Sequence, residues 1–274
     1  MKITAKTKLL ALFGHPVGHS LSPVMHNAAF ARMGLDYCYM ALEIKPEDLP
    51  DAVRSIRALG LRGVNITVPH KEKVIPLLDE IDEEAGFIGA VNTIVNTGGR
   101  LKGFNTDGRG FMKMLDEEGV DVSGKNVFVC GAGGGSRAIS YYLSEKAAAL
   151  KIFDLDRKKL EKLVSDLSGI RDNVTAAEAV DDMEGTGLFI NATPLGLKET
   201  DPMPADPSRF PRGIVVGDLI YKETPLLRES KKRGLKTFGG LGMLLWQGVL
   251  ASELWTGVRP PHDVMRDALL KNFY

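Results

Sequence analysis

A glycine-rich turn between a strand and a helix constrains the fold of this chain more than any other segment. Gly131-Ala-Gly-Gly-Gly-Ser136 follows the apolar run Asn126–Cys130, which predicts a buried strand, and it precedes a helical segment. Gly131 permits a tight turn, and Gly133 lets the backbone come close to a pyrophosphate. The N–H groups and the positive end of the following helix would face that anion. The motif predicts a dinucleotide site, although a serine stands where a third glycine is usual. The predicted contacts are Gly131, Ala132, Gly133, Gly134, Gly135 and Ser136.

The rest of the chain alternates short apolar runs with helical segments. Runs such as Leu188–Asn191 and Gly213–Leu219 are continuous, which is typical of a parallel sheet covered on both faces. We therefore predict a two-domain α/β fold, with an N-terminal α/β substrate domain and a Rossmann-type parallel-sheet dinucleotide domain. The substrate domain would span residues 1–106 and 240–274, and the dinucleotide domain residues 107–239.

Two local helix starts are predicted within the substrate domain. Ser22-Pro23 has the pattern of a helix start, with Ser22 as the N-cap and Pro23 at the first helical position. A second helix is predicted over Lys71–Leu78, after Pro69 interrupts a strand. These two segments matter because each lies beside polar side chains that could bind a ligand.

Composition indicates an ordinary globular protein. Of its residues, 44% are apolar and 26% are charged, and 35 basic residues balance 35 acidic ones. Bulk charge therefore predicts no nucleic-acid or membrane partner. Apolar runs fall short of the roughly 20 residues that a membrane span needs, and we expect no signal peptide. We expect a cytoplasmic monomer or homodimer.

The cysteines and histidines predict neither a disulfide framework nor a metal site. Cys130 ends an apolar strand, so a reduced thiol is the favoured interpretation, and a disulfide with Cys38 is the alternative. The histidines have no spacing typical of metal ligands, and no cluster of cysteines or acids supports a zinc site.

Asp154 lies at the end of the next strand, 23 positions after Gly131. A carboxylate there can accept hydrogen bonds from the ribose hydroxyls of a dinucleotide, and it would repel a 2′-phosphate. Asp154 therefore predicts NAD in preference to NADP. Arg157, Lys158 and Lys159 follow closely, so NADP stays open as the alternative.

Polar side chains cluster in motifs of the first half. Ser20 and Ser22 flank a helix start, and Asn65-Ile-Thr-Val-Pro-His-Lys71 places polar residues at alternate strand positions before a lysine. Gly103-Phe-Asn-Thr-Asp107 ends another strand with an acid. Hydroxyls, amides, one lysine and one aspartate suit a small, polyhydroxylated, anionic substrate. The alternatives are helix caps for the two serines and ordinary strand roles for Asn65 and Thr67.

These segments, together with Gly239-Gly-Leu-Gly-Met-Leu-Leu-Trp-Gln-Gly248, resemble the shikimate dehydrogenases and the related quinate/shikimate dehydrogenases over nearly the whole chain. The resemblance implies reversible hydride transfer between a nicotinamide and the ring carbonyl of 3-dehydroshikimate, with Lys71 and Asp107 as the catalytic pair. It implies that the substrate is held by Ser20, Ser22, Asn65, Thr67, Asn92, Tyr221 and Gln247. It implies that the nicotinamide end of the cofactor lies against Asn191, Ala192, Thr193, Leu219 and Gly240.

Two departures from the family pattern refine this hypothesis. Members that use NADP usually carry Asn-Arg-Thr where this chain has Asp154-Leu155-Asp156, which resembles the NAD-using quinate/shikimate branch. The loop after Tyr221 is also shorter than is usual. The hypothesis is therefore a shikimate dehydrogenase that prefers NAD, with quinate as a second candidate substrate. The alternatives are a folate-linked two-domain dehydrogenase and a non-catalytic metabolite sensor, and Lys71 with Asp107 argues against both.

Overall fold

The computed structural model describes residues 3–198 and 200–273, which divide into two compact units. The first unit comprises the residues up to Gly110 and those from Leu245 onward, and the second comprises Phe111–Leu244. The divisions fall a few residues after the boundaries drawn from the sequence at 106 and 239. Each unit has its own sheet and its own buried core.

The first unit is built on a six-stranded mixed sheet. Its strands are β1 (Lys8–Gly14), β2 (Tyr37–Glu43), β3 (Gly63–Ile66), β4 (Glu80–Ile81), β5 (Thr93–Thr97) and β6 (Arg100–Phe104). They lie in the order β2-β1-β3-β5-β6-β4. Strand β1 pairs in parallel with β2 and β3, whereas β5 is antiparallel to β3 and β6. The helices that begin in this part of the chain are α1 (Ser22–Met33), α2 (Leu49–Ala58), α3 (Glu83–Ile88) and α4 (Asp107–Glu117).

Apolar and aromatic side chains bury both faces of this sheet. On one face Trp255 is 1% exposed and its indole Nε1 donates to the Ile94 carbonyl at 2.9 Å. Gly63 lies directly beneath that indole, where a Cβ atom would collide with the ring. This face also carries polar side chains of the candidate site, so a rigid aromatic layer supports them.

The second unit is built on a six-stranded parallel sheet. Its strands are β7 (Asn126–Cys130), β8 (Ala149–Phe153), β9 (Val174–Ala176), β10 (Thr186–Asn191), β11 (Val215–Asp218) and β12 (Lys236–Phe238), and they lie in the order β12-β11-β10-β7-β8-β9. The later helices of the chain are α5 (Gly134–Lys146), α6 (Arg157–Ser168), α7 (Pro225–Lys232), α8 (Leu241–Thr256) and α9 (His262–Phe273). Strand β7 pairs with β8 on one side and β10 on the other, so the strand order reverses at the glycine turn. Such a switch point is the usual place for a ligand in an open parallel sheet.

Two local predictions are wrong. No α-helix forms over Lys71–Leu78, where only the short 3₁₀ segment Ile75–Leu77 is regular. Pro76 lacks the N–H that an α-helix would need there, and Leu78 is already extended. Ser22 is the first residue of α1 and Leu21 is its N-cap, without a side-chain cap. The Ser22 side chain is buried instead.

The described residues contain no helix that is both long and apolar enough to cross a membrane. Across residues 3–198 and 200–273, no group of three or more His, Cys, Asp or Glu side chains is arranged to hold a metal ion. Cys38 and Cys130 are both free and buried. Burial raises the pKa of the Cys130 thiol to about 12, so this thiol is an unreactive part of the core.

Candidate active site

Lys71 and Asp107 form a close ion pair in the first unit. Lys71 Nζ lies 2.5 Å from Asp107 Oδ2, and their side chains are 18% and 6% exposed. The other carboxylate oxygen of Asp107 accepts a hydrogen bond from Asn92 Nδ2 at 2.8 Å. An ammonium group has three N–H donors, and the aspartate uses one of them. The pair therefore presents a proton donor whose position is set by a carboxylate with both oxygens hydrogen-bonded.

Local backbone geometry places the two charged groups side by side. Asp107 is the first residue of α4, where a carboxylate is stabilised by the helix dipole. Its backbone N–H donates to Asn105 Oδ1 at 3.0 Å, and Asn105 Nδ2 donates to the Ala90 carbonyl at 2.9 Å. The Lys71 carbonyl accepts from Val91 N at 2.8 Å. The lysine segment and the start of α4 are thus tied to the same stretch of chain before β5.

A buried network of amides and hydroxyls joins this pair to other predicted site residues. Asn65 Nδ2 donates to the Asn92 carbonyl and to Thr93 Oγ1, both at 3.0 Å. Thr93 Oγ1 donates to Asn92 Oδ1 at 2.9 Å, and Thr106 N donates to the same oxygen at 2.8 Å. Thr93 and Thr106 were not predicted as site residues, although both adjoin residues that were.

The remaining first-unit candidates lie at the ends of secondary structure elements or within α8. Ser20 Oγ accepts from the Ser22 backbone N at 3.3 Å, and the Ser22 side chain is buried. Thr67 is half-buried directly after β3, and its backbone N donates to the Phe13 carbonyl. Gln247 lies in α8, and its carbonyl accepts from Thr106 Oγ1 at 3.1 Å. Their substrate contacts stay predictions.

The glycine turn in the second unit has the backbone geometry that its sequence predicts. Gly131 has φ 115°, and a Cβ atom there would lie 2.9 Å from the Ala192 carbonyl group. Gly133 has open space where a Cβ would point. Helix α5 begins at Gly134. Ser136 Oγ closes the turn by donating to the Gly131 carbonyl at 2.5 Å. The open backbone before this helix start fits a pyrophosphate.

The loops after β10 and β11 are joined through Asp218, which sequence reasoning missed. Its carboxylate accepts from Asn191 Nδ2 at 3.1 Å, from Thr224 Oγ1 at 2.8 Å and from Ile220 N at 3.0 Å. Burial raises the pKa of Asp218 to about 6 despite these hydrogen bonds. The one signal for Asp218 in the sequence was the position of an acid at the end of a predicted strand. Asp218 thus shapes the loop that carries Tyr221, which is 44% exposed.

The other residues predicted at the nicotinamide end lie on or beside the same two loops. Thr193 Oγ1 donates to Asn191 Oδ1 at 2.7 Å, and Ala192 N donates to the Cys130 carbonyl at 2.7 Å. Leu219 N donates to the Asn191 carbonyl, and a Cβ at Gly240 would collide with Leu219. All five predicted residues therefore lie together in the second unit.

Comparison with known proteins identifies the family. The profile of the shikimate dehydrogenase substrate binding domain matches residues 12–94, and that of the Shikimate 5′-dehydrogenase C-terminal domain matches residues 240–270. A shikimate dehydrogenase (NADP(+)) of Symbiobacterium thermophilum is 46% identical, with 96% of this chain and 94% of that protein covered. The chain belongs to the shikimate dehydrogenase family. The predicted family and fold class are confirmed.

Solved shikimate dehydrogenases share the fold over nearly their full length. One in complex with NADP⁺ superposes with a TM-score of 0.93 at 39% identity, covering 100% of this chain and 98% of the other. The Thermus thermophilus enzyme in complex with NADP(H) and shikimate has a TM-score of 0.89 at 38% identity, covering 97% and 100%.

The prediction that NAD is the preferred cofactor is wrong. The relative from Symbiobacterium thermophilum is named for NADP(+), and the first solved shikimate dehydrogenase above holds NADP⁺. The prediction assumed that the Asp154 carboxylate is free to repel a 2′-phosphate. Instead, its Oδ2 accepts from Ala132 N at 2.6 Å and its Oδ1 from Asp156 N at 2.8 Å. Both oxygens are used to shape the glycine turn and its neighbouring loop.

Proposed function

We propose that this chain catalyses the reversible, NADP-dependent oxidation of shikimate to 3-dehydroshikimate. The observation that carries the proposal is the Lys71–Asp107 pair, held at 2.5 Å within a set of buried amides and hydroxyls. The names of its relatives in the family support the substrate and the cofactor.

Lys71 and Asp107 act as the proton relay of this reaction. A bound nicotinamide would supply the hydride acceptor for the alcohol carbon and the hydride donor for the ketone. In the reducing direction, negative charge develops on the carbonyl oxygen, and the Lys71 ammonium neutralises it by donating a proton. In the oxidising direction, Lys71 acts as the neutral amine after its extra proton has passed to Asp107, and it then takes the hydroxyl proton. Asn92 holds Asp107 in place through its hydrogen bond at 2.8 Å.

Predominantly hydroxyl and amide side chains suit a substrate that carries three hydroxyls and one carboxylate. Seven side chains would hold it: Ser20, Ser22, Asn65, Thr67, Asn92, Tyr221 and Gln247. Hydroxyl and amide groups can both donate and accept hydrogen bonds, as polyhydroxylated ligands require. Ser22 supplies the second hydroxyl of the serine pair, which favours shikimate over quinate, the acid with one more hydroxyl.

Cations at the start of α6 would bind the 2′-phosphate of NADP. Lys158 forms no ion pair with any residue that the structure describes. Lys159 Nζ lies 3.2 Å from Asp156 Oδ2, in a pair exposed to solvent. Exposed pairs contribute about 0–1 kcal/mol, so a phosphate can displace this one. Asp156 also caps the helix by accepting from Lys159 N, which lowers the pKa of its carboxyl.

We expect the double variant Lys158→Ala/Lys159→Ala to raise the KM for NADP by about tenfold or more, because two phosphate contacts are lost. The KM for NAD, which lacks that phosphate, should stay within about twofold. Lys162→Ala is the matched control, since Lys162 lies in the same helix and pairs with Asp166. Steady-state kinetics with each cofactor make the measurement. Equal changes in both KM values would contradict this assignment.

The function itself is tested by initial rates with shikimate and with quinate, each against NADP and NAD. Reduction of the nicotinamide reports the rate, and calorimetry reports shikimate binding without turnover. We expect the highest kcat/KM with shikimate and NADP. Binding of shikimate without reduction of either cofactor would overturn the proposal in favour of a non-catalytic sensor.

A further inference from the structure

Tyr39 lies on β2, an edge strand of the first sheet, yet its side chain is only 1% exposed. Its ring stacks on His26 with centroids 4.4 Å apart and an angle of 17° between the planes. Trp255 contacts the same ring at a centroid distance of 5.9 Å, tilted by 47°. Two aromatic neighbours therefore hold the phenol, so that its hydroxyl can reach only a small region.

The Tyr39 hydroxyl contacts a residue that we place in the substrate site. It donates to Asn65 Oδ1 at 2.7 Å. Tyr39 is paired in register with Leu10 of β1, whereas Asn65 is paired with Leu12. The tyrosine thus reaches across β1 to a residue two positions further along the sheet. Sequence alone had no signal for this contact, because Tyr39 resembles any apolar strand residue.

Backbone groups determine the direction of each hydrogen bond in this cluster. The Asn92 carbonyl can only accept, so the amide nitrogen of Asn65 must face it. The amide oxygen of Asn65 therefore faces Tyr39, and the tyrosine must be the donor. Burial raises the pKa of the Tyr39 hydroxyl, so it stays protonated and able to donate.

Both N–H groups of Asn65 are already used, by the Asn92 carbonyl and by Thr93 Oγ1. What Asn65 can still offer to a ligand is the second lone pair of its oxygen, the same atom that Tyr39 holds. Without the tyrosine hydroxyl, this buried oxygen loses its partner and the side chain is less well oriented.

We propose that Tyr39 is a positioning residue for substrate binding, which acts through Asn65 by fixing the direction in which the amide oxygen faces a substrate hydroxyl. This inference rests on the proposed function, since it takes shikimate as the ligand. Tyr39 would therefore influence substrate binding without touching the substrate, unlike the seven side chains proposed to bind it directly.

The test is a double-mutant cycle of Tyr39→Phe and Asn65→Ala in the full chain. Tyr39→Phe keeps the ring in its aromatic stack and removes only the hydroxyl. We expect it to raise the Kd for shikimate, measured by calorimetry without cofactor, by about tenfold. The KM for shikimate should rise in parallel, while kcat and the KM for NADP should change by less than about threefold. In the Asn65→Ala background, Tyr39→Phe should change the Kd by less than about twofold.

Tyr37→Phe is the matched control. Tyr37 is also buried on β2, and its hydroxyl makes no hydrogen bond to the described part of the chain. It should leave the Kd for shikimate unchanged, and thermal unfolding should show all variants folded. An unchanged Kd in Tyr39→Phe would overturn the inference, as would an equal effect with and without Asn65. A wild-type chain that binds shikimate without turnover would overturn only the proposed function, and one that does not bind shikimate would overturn both.

Discussion

Replacing Lys71 with alanine should lower kcat for shikimate oxidation by at least about 100-fold, because general acid–base assistance is worth about 10²–10⁴-fold. The methyl side chain cannot exchange a proton with the reacting oxygen. It also leaves the 6% exposed Asp107 carboxylate without its cation. The KM for NADP should change little, since the proposed cofactor contacts come from the second unit.

Steady-state kinetics with saturating shikimate and NADP make the measurement. Lys73→Ala is the matched control, because Lys73 is an exposed lysine two positions further along the chain. It should keep wild-type turnover. Near-normal kcat in Lys71→Ala would exclude this lysine as the proton donor.

Acidification should destabilise the first unit, because His26 is buried as a neutral imidazole. His26 is 0% exposed between aromatic rings, and burial lowers its pKa from 6.5 to about 3. Its Nδ1 lies 3.3 Å from Ser252 Oγ, and Nε2 has no partner among the described residues. A cation in this position would be largely desolvated.

The sign of the pH dependence follows from proton binding. Between about pH 3 and 6.5 the unfolded chain binds a proton at this histidine and the folded chain does not, so stability falls as the pH falls. The full shift corresponds to about 5 kcal/mol, of which about 3 kcal/mol should be lost between pH 7 and pH 4. The contribution of the neutral imidazole to the free energy of unfolding is fully present above pH 6.5, the pKa of this histidine in the unfolded chain.

Urea unfolding followed by tryptophan fluorescence can measure this loss in the first unit alone. Both tryptophans of the chain, Trp246 and Trp255, belong to that unit. His26→Phe should flatten the pH dependence, whereas His262→Phe, which replaces an exposed histidine, should keep it. An unchanged slope in His26→Phe would show that other groups cause the acid sensitivity.

The stability of the second unit should change with pH in the direction opposite to that of the first unit, because of Asp218. Its pKa is raised by burial to about 6, so the folded unit binds a proton there that the unfolded chain has already lost. This contribution is fully present below about pH 4 and is lost as the pH rises through 6. A probe that reports both units together would therefore mix two effects of opposite sign.

The sequence was sufficient to predict features that depend on a short segment of the chain. The glycine turn was predictable because a φ of 115° and the close approach of Ala192 both exclude a side chain at Gly131. The family was predictable from the segment Asn65–Lys71, whose order of polar residues is specific. Lys71 and Asp107 were predicted together, and the structure places their charged atoms in contact.

The sequence-based predictions failed where a polar side chain had several possible hydrogen-bond partners, or where a proline interrupted a predicted helix. Ser22 matches a helix cap in sequence, yet it is the first residue of α1 and its side chain caps no backbone N–H. Asp154 matches a ribose-binding acid, yet both of its oxygens accept hydrogen bonds from backbone N–H groups. The predicted helix after Lys71 failed because Pro76 cannot donate the hydrogen bond that it requires.

The sequence by itself determined the two sheets and the glycine turn, because steric limits and hydrophobic patterning act between neighbours along the chain. The Lys71–Asp107 pair was predicted from the resemblance to the family. Only the tertiary structure decided that Tyr39 supports Asn65, that Asp218 joins two loops and that Asp154 faces the backbone. These contacts join residues 22 to 27 positions apart. A hydrogen bond depends on the distance and direction between two atoms, and only the packed sheets define both.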